Sequence, residues 1–183
     1  RAGRNLRADT LGMLACSLGL AAPGCGDAPG ELIVVVTNDM VPPKDLDEVR
    51  VRVSVGDERK HDRTYFLDPD AADGLKLPAT IAILEGDDPL AKVDVRILGL
   101  RRGEARTLNR VVTGVPHQRV GMIRLPIQWL CEGEVIESET GVFESACEPQ
   151  GGVAMACRAG ACEAVTVSPE TLPRFEAGEA FGG

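Results

Sequence analysis

The sequence predicts an all-β protein, an antiparallel sandwich of about seven strands over residues 31–130 followed by a small disulfide-linked C-terminal region. Three observations carry this. Val49, Val51, Val53 and Val55 alternate with Arg50, Arg52 and Ser54, and Val93, Val95 and Ile97 alternate with Asp94 and Arg96. A period of two puts one set of side chains on each face of a strand. The apolar residues of this stretch are mainly Val, Ile and Leu, and β-branched side chains favour pleated sheet. No segment sustains the apolar spacing of a helix, and the strand signals recur every eight to fifteen residues or so, as in sandwiches.

Taken in order, residues 1–24 read as an export signal. Arg1, Arg4 and Arg7 precede the apolar run Leu11 to Ala22, which ends in Ala22-Pro23-Gly24-Cys25. A positive n-region, an apolar h-region of about 7–15 residues and small residues at the cut define such a leader. A membrane span needs about 20 apolar residues, and this run breaks at Pro23-Gly24 after twelve. The stretch resembles a bacterial lipoprotein signal, which implies that Cys25 is lipidated and becomes the mature N-terminus. Cys16, after Met13-Leu14-Ala15, fits the local pattern as well but leaves an h-region of only Leu11 to Ala15. Cleavage without lipidation is the third alternative.

Residues 25–30 then form a linker. Leu32 to Val36 is a continuous apolar run, expected to be buried on both faces or to end inside a sandwich. The valine strand ends at Gly56-Asp57, and Arg63 to Leu67 makes a third strand. His61, within Arg59-Lys60-His61-Asp62-Arg63, is placed on a solvated turn. Leu77 to Leu84 is the fourth strand, and Glu85-Gly86-Asp87-Asp88-Pro89 supplies turn chemistry. The strand from Val93 ends between Gly99 and Gly103, and Arg106 to Val115 and Arg119 to Leu130 complete the seven, with His117 in a hairpin connection between them. Residues 131–165 have little apolar content and form a separate appendage dependent on cross-links, because so short a region builds no core. Residues 166–183, with Pro169, Pro173 and several Gly, are expected to be a disordered tail.

Cys131, Cys147, Cys157 and Cys162 cluster in the last third of the chain. Four cysteines in an exported protein read as a disulfide framework, with three pairings open. Structural zinc sites gather ligands in close pairs, whereas the gaps here are fifteen, nine and four residues with no histidine after His117, so no metal ligand is assigned.

Leader, strands and cysteines together resemble the predicted surface lipoproteins of myxobacteria, on Glu31 to Val36, Leu77-Pro78-Ala79-Thr80-Ile81-Ala82-Ile83, Val93 to Leu100 and the terminal C-x4-C. The resemblance implies an Ig-like β-sandwich at the cell envelope, on the outer membrane or cell surface, and supplies no activity. The C-x4-C pair is also similar to the last turn of small cysteine-rich modules in which sequence neighbours bond to different partners. That implies Cys131 with Cys157 and Cys147 with Cys162.

No catalytic residue and no cofactor are assigned. His61 and His117 are the only histidines, and the chain has no G-x-S-x-G elbow, H-E-x-x-H or Gly-rich phosphate loop. The net charge of −8 argues against a nucleic-acid partner. Asp68-Pro69-Asp70-Ala71-Ala72-Asp73-Gly74 and Glu85-Gly86-Asp87-Asp88 are oxygen-rich turns that calcium could use, but neither matches the twelve-residue calcium loop. The expected function is therefore a membrane-anchored binding, adhesion or envelope structural module with a protein or glycan partner. The alternative is a secreted carbohydrate-active or hydrolase accessory domain, which would gather Trp129, Tyr65 and paired carboxylates on a concave face.

Overall fold

The computed structural model describes residues 28–68, 74–139 and 141–181. Cys16, Cys25 and the leader lie outside the described residues, as do Asp70 and Asp73 of the first acidic turn.

Seven strands build the sandwich: β1 (Glu31–Asn38), β2 (Glu48–Val55), β3 (Glu58–Phe66), β4 (Ala79–Leu84), β5 (Lys92–Arg101), β6 (Glu104–Gly114) and β7 (Val120–Ile127). They divide into a three-stranded sheet of order β4-β1-β7 and a four-stranded sheet of order β3-β2-β5-β6. All sandwich pairs are antiparallel except β1 with β7, which run parallel from Glu31 opposite Val120 to Asn38 opposite Ile127. The immunoglobulin constant arrangement groups its strands as first, second, fifth and fourth against third, sixth and seventh. Here the first strand sits instead at the centre of its sheet, between the fourth and the seventh.

The core between the sheets follows from the alternation. Val49, Val51 and Val53 of β2 and Val93, Val95 and Ile97 of β5 meet Leu32, Val34 and Val36 of β1 and Ile123, Leu125 and Ile127 of β7. Each such side chain removed from water contributes roughly 1.5–3 kcal/mol before entropy is set against it. The other face of β1 is buried too, since Ile33 and Val35 pack with Met122, Phe175 and Ala180.

Two expectations are corrected at β3 and at the β6–β7 connection. β3 begins at Glu58, five residues earlier than the sequence suggested, because Gly56 (φ +57°) turns the chain within two residues and pairing resumes at Val55 opposite Glu58. His61 thus sits within a strand, opposite Val53, and not on a turn. The charged run hid the strand because β3 is a sheet edge, where polar side chains blunt further pairing. His117 does not join a hairpin: β6 and β7 belong to different sheets, and the connection crosses between them.

The tail is also corrected. From Val165 the chain runs beside β6, with the Val112 N–H donating to the Val165 carbonyl at 2.8 Å and the Val167 N–H to the Val112 carbonyl at 3.0 Å. Leu172 enters the main core, the Met122 N–H donates to the Pro173 carbonyl at 2.9 Å, and the short helix α1 (Ala177–Phe181) places Ala180 against β1. The Arg119 guanidinium donates to the Pro169, Glu170 and Leu172 carbonyls. A composition rich in Pro and Gly concealed this because the anchoring side chains follow no helical or strand period.

The cysteine region carries two small hairpins, β8 (Val135–Glu137) with β9 (Phe143–Ser145) and β10 (Met155–Arg158) with β11 (Ala161–Ala164). Disulfides join Cys131 to Cys157 and Cys147 to Cys162. The region is not free-standing: Val135 and Phe143 cover Leu98, Leu100 and Leu108 on the outer face of the four-stranded sheet. Arg96 reinforces the contact, donating to the Phe143 carbonyl at 3.1 Å and to Glu144 at 2.9 Å.

Candidate functional site

The two long sides of the sandwich differ. At the β6 and β7 edges the tail fills the gap between the sheets, whereas the β3 and β4 edges are left apart. Between them lies a cavity of about 670 Å3. Its floor is Val49, Val51, Val53 and Val55 of β2, and Ile81 and Ile83 of β4 form one wall. His61, Tyr65 and Lys60 of β3 and Thr80 of β4 supply its polar side chains. Small-molecule sites are concave and mostly apolar, of about 300–1,000 Å3, with a few convergent polar groups. This one has that size and chemistry.

The strand register explains the wall. His61, Arg63 and Tyr65 stand opposite Val53, Val51 and Val49, so all three belong to the inner face of β3. The Tyr65 hydroxyl and His61 Nε2 lie 3.1 Å apart in a hydrogen bond whose donor depends on the imidazole tautomer. The two rings are stacked, 6.2 Å between centroids and 12° between planes. The Lys60 ammonium pairs with Glu58 at 2.5 Å. Among the described residues Arg63 has no hydrogen-bond or ion-pair partner, and no carboxylate lines the cavity.

The outer face of the same sheet is a closed charge network. Asp62 accepts from Arg50 at 2.7 and 3.0 Å and from Arg52 at 3.1 Å, and Asp94 accepts from Arg110 at 3.0 and 2.7 Å and from Arg96 at 3.3 Å. The Arg50 hydrogen bond, then the charges of Arg52 and Arg50, hold the Asp62 carboxyl below its ordinary value against the opposing effect of burial. A carboxyl whose pKa is lower folded than unfolded adds stability above the unfolded pKa, and that stability is lost as pH falls through the folded one. Asp62→Asn is accordingly expected to lower stability at pH 7 by about 1 kcal/mol and to flatten the acid limb below about pH 4. Urea midpoints at pH 7 and pH 3 check this, and an unchanged difference between the two would refute it.

The remaining sequence candidates are dispersed. His117 Nδ1 and Glu85 Oε1 lie 2.7 Å apart, and Glu85 Oε2 accepts the Gly30 N–H at 2.8 Å. The His117 bond, then the Gly30 amide, lower the Glu85 pKa. Asp88 caps its own turn, accepting the Leu90 N–H at 2.9 Å. Among the described residues no group of three or more His, Cys, Asp or Glu side chains is arranged to hold a metal ion. Trp129, 53% exposed in the 3-10 turn Trp129–Cys131, is not among the residues lining the cavity beside Tyr65. Among the described residues no helix is long and apolar enough to cross a membrane.

The cavity was missed in the sequence because its floor reads as ordinary core. The one signal that pointed to it was the alternation His61, Arg63, Tyr65 within the charged run, which marks an edge strand turning polar side chains inward. Comparison with known protein families, curated proteins and solved structures finds no match to this chain.

Proposed function

We propose that this chain is a non-catalytic exported binding module, tethered to the cell envelope through a lipid on Cys25, whose ligand site is the cavity between β3 and β4. The cavity carries the reading: an apolar recess of about 670 Å3 with His61, Tyr65 and Lys60 on one wall is a place to hold something. The disulfides are compatible with an oxidising, extracellular compartment. Two or more acyl chains on Cys25 would give stable attachment where one is marginal. The carbohydrate-active alternative ranks lower, because Trp129 is not at the Tyr65 wall and the carboxylates of the four-stranded sheet's outer face are paired with arginines.

Each half of the reading has its own test. Metabolic labelling with a fatty-acid analogue should tag the natural chain and not Cys25→Ser; equal label in both would remove the anchor. An environment-sensitive apolar dye should bind the oxidised protein and be excluded by Ile81→Trp, which fills the recess. Dye binding unchanged by Ile81→Trp would remove the site.

A further inference from the structure

We propose that the ligand of the β3–β4 cavity is a free long-chain aliphatic carboxylate, its chain lying along the valine floor and its head group held at the rim by Arg63. The inference rests on the reading of this cavity as the binding site and adds the class of molecule it takes.

The lining sets the tail. Val49, Val51, Val53 and Val55 present one continuous aliphatic strip, faced by Ile81 and Ile83, and Tyr65 is the single aromatic side chain among the lining residues apart from the His61 imidazole. A flat aromatic ligand would find few ring faces to stack on, whereas a flexible alkyl chain gains wherever methyl groups replace water. No Asn or Gln side-chain amide stands in the described lining to fix a polar ligand.

The charge sets the head. This chain has 28 acidic residues against 20 basic ones, yet the described lining includes Lys60 and no carboxylate. Arg63 stands on the inner face of β3 between His61 and Tyr65, opposite the floor residue Val51. On the outer face of the sheet Arg50, Arg52, Arg96 and Arg110 are committed to Asp62, Asp94 or Glu144. Arg59 reaches Asp62 at 3.5 Å. Arg63 is exposed and not itself among the residues lining the recess, but it stands on the strand between two that are, His61 and Tyr65, with no counter-ion among the described residues. A guanidinium presents paired N–H donors that match a planar carboxylate bidentately, and the Tyr65–His61 pair can add a further donor. A free monoanion also fits better than an anionic bilayer, whose extended negative surface the net charge of −8 would repel.

The test is displacement of a dansyl-labelled fatty acid from the oxidised protein by palmitic acid and by hexadecanol, which has the same chain and no charge. Palmitate is expected to displace the probe at least tenfold more effectively than the alcohol. Arg63→Glu should remove that tenfold preference while leaving the alcohol unchanged, and Arg63→Lys should keep part of it. Arg63 is exposed, so both variants should retain the thermal midpoint of the parent. Acid and alcohol binding equally, with Arg63→Glu silent, would overturn the carboxylate and leave the apolar site standing. No displaceable binding of any apolar probe would overturn the site itself. A dimer in light scattering that Ile81→Trp dissolves would assign the recess to a second copy and also overturn the proposal.

Discussion

Gly30→Ala is expected to destabilise the protein by about 3 kcal/mol, the upper part of the range for forced overpacking, and so to consume a large share of the stability of an ordinary domain. A Cβ on residue 30 would lie 1.9 Å from the Pro116 carbonyl oxygen and 2.9 Å from Glu85 Oε2. The first obstacle is backbone, which no rotamer change can move. Relief would require the entry to β1 and the crossing between β6 and β7 to separate. The Cβ also crowds Glu85 Oε2, which strains the reciprocal pair in which the Glu85 N–H donates to the Gly30 carbonyl at 2.9 Å and the Gly30 N–H donates to the Glu85 carboxylate at 2.8 Å. The register of β1 against β7 starts one residue later, at Glu31 opposite Val120, so the disturbance falls where the parallel pairing is set. Gly178→Ala is the control: a Cβ there meets nothing within 4 Å, and within α1 alanine is the better helix former. Urea midpoints of the two variants decide the matter, and a Gly30→Ala midpoint within 0.5 kcal/mol of the parent, roughly the scatter of neutral surface changes, would refute the argument.

The strands were legible where one face is buried and the other solvated. Val49 to Val55 and Val93 to Ile97 announced themselves because each inward side chain is aliphatic and each outward one polar, and the structure places them in the core as expected. The run Leu32 to Val36 was legible differently, as a strand with no polar face, buried on both faces or ending inside a sandwich, and the structure buries both faces. Three things were not. β3 has little inward apolar content because it is an edge, so its start was lost in a charged run. The tail docks through Leu172, Phe175 and Ala180, single residues at irregular spacing that composition averages away. The order of strands within each sheet leaves no trace in local pattern, and the cavity exists only because that order makes β3 and β4 opposing edges. The valines on its floor are therefore indistinguishable, in sequence, from valines packed against a partner. The lone Trp129 drew attention as an aromatic, but its backbone N–H is tied to Asp39 at 2.7 Å, which makes it part of the turn that carries the chain from β7 into the cysteine region.

Loss of the Cys131–Cys157 disulfide, in Cys131→Ala with Cys157→Ala, is the other change with a large expected effect, about 3.5 kcal/mol, the loop-closure value for a 26-residue separation on the chain-entropy account. Its consequence is spatially wider than that of the Cys147–Cys162 bond, which closes 15 residues within the appendage. Cys131 ends the 3-10 turn Trp129–Cys131 that follows β7, and Cys157 lies on β10, whose Arg158 guanidinium donates to the Arg110 carbonyl of β6 at 3.4 Å. The first disulfide therefore ties β10 to the turn by which the chain leaves the sandwich, while the second ties β11 to the bend after β9, within the appendage. Opening the first should let Val135 and Phe143 lift from Leu98, Leu100 and Leu108, exposing apolar surface that the appendage otherwise keeps dry. Limited proteolysis should then cut within residues 131–165 before any cut in the sandwich, in the double variant and in the reduced parent alike. The sandwich should resist longer, because its core, Leu32 to Ile127 together with Leu172, includes no cysteine. Simultaneous loss of both regions on reduction would mean that the appendage is integral to the sandwich fold. Free thiols at the four cysteines in non-reducing mass spectrometry would remove the cross-links on which the difference depends.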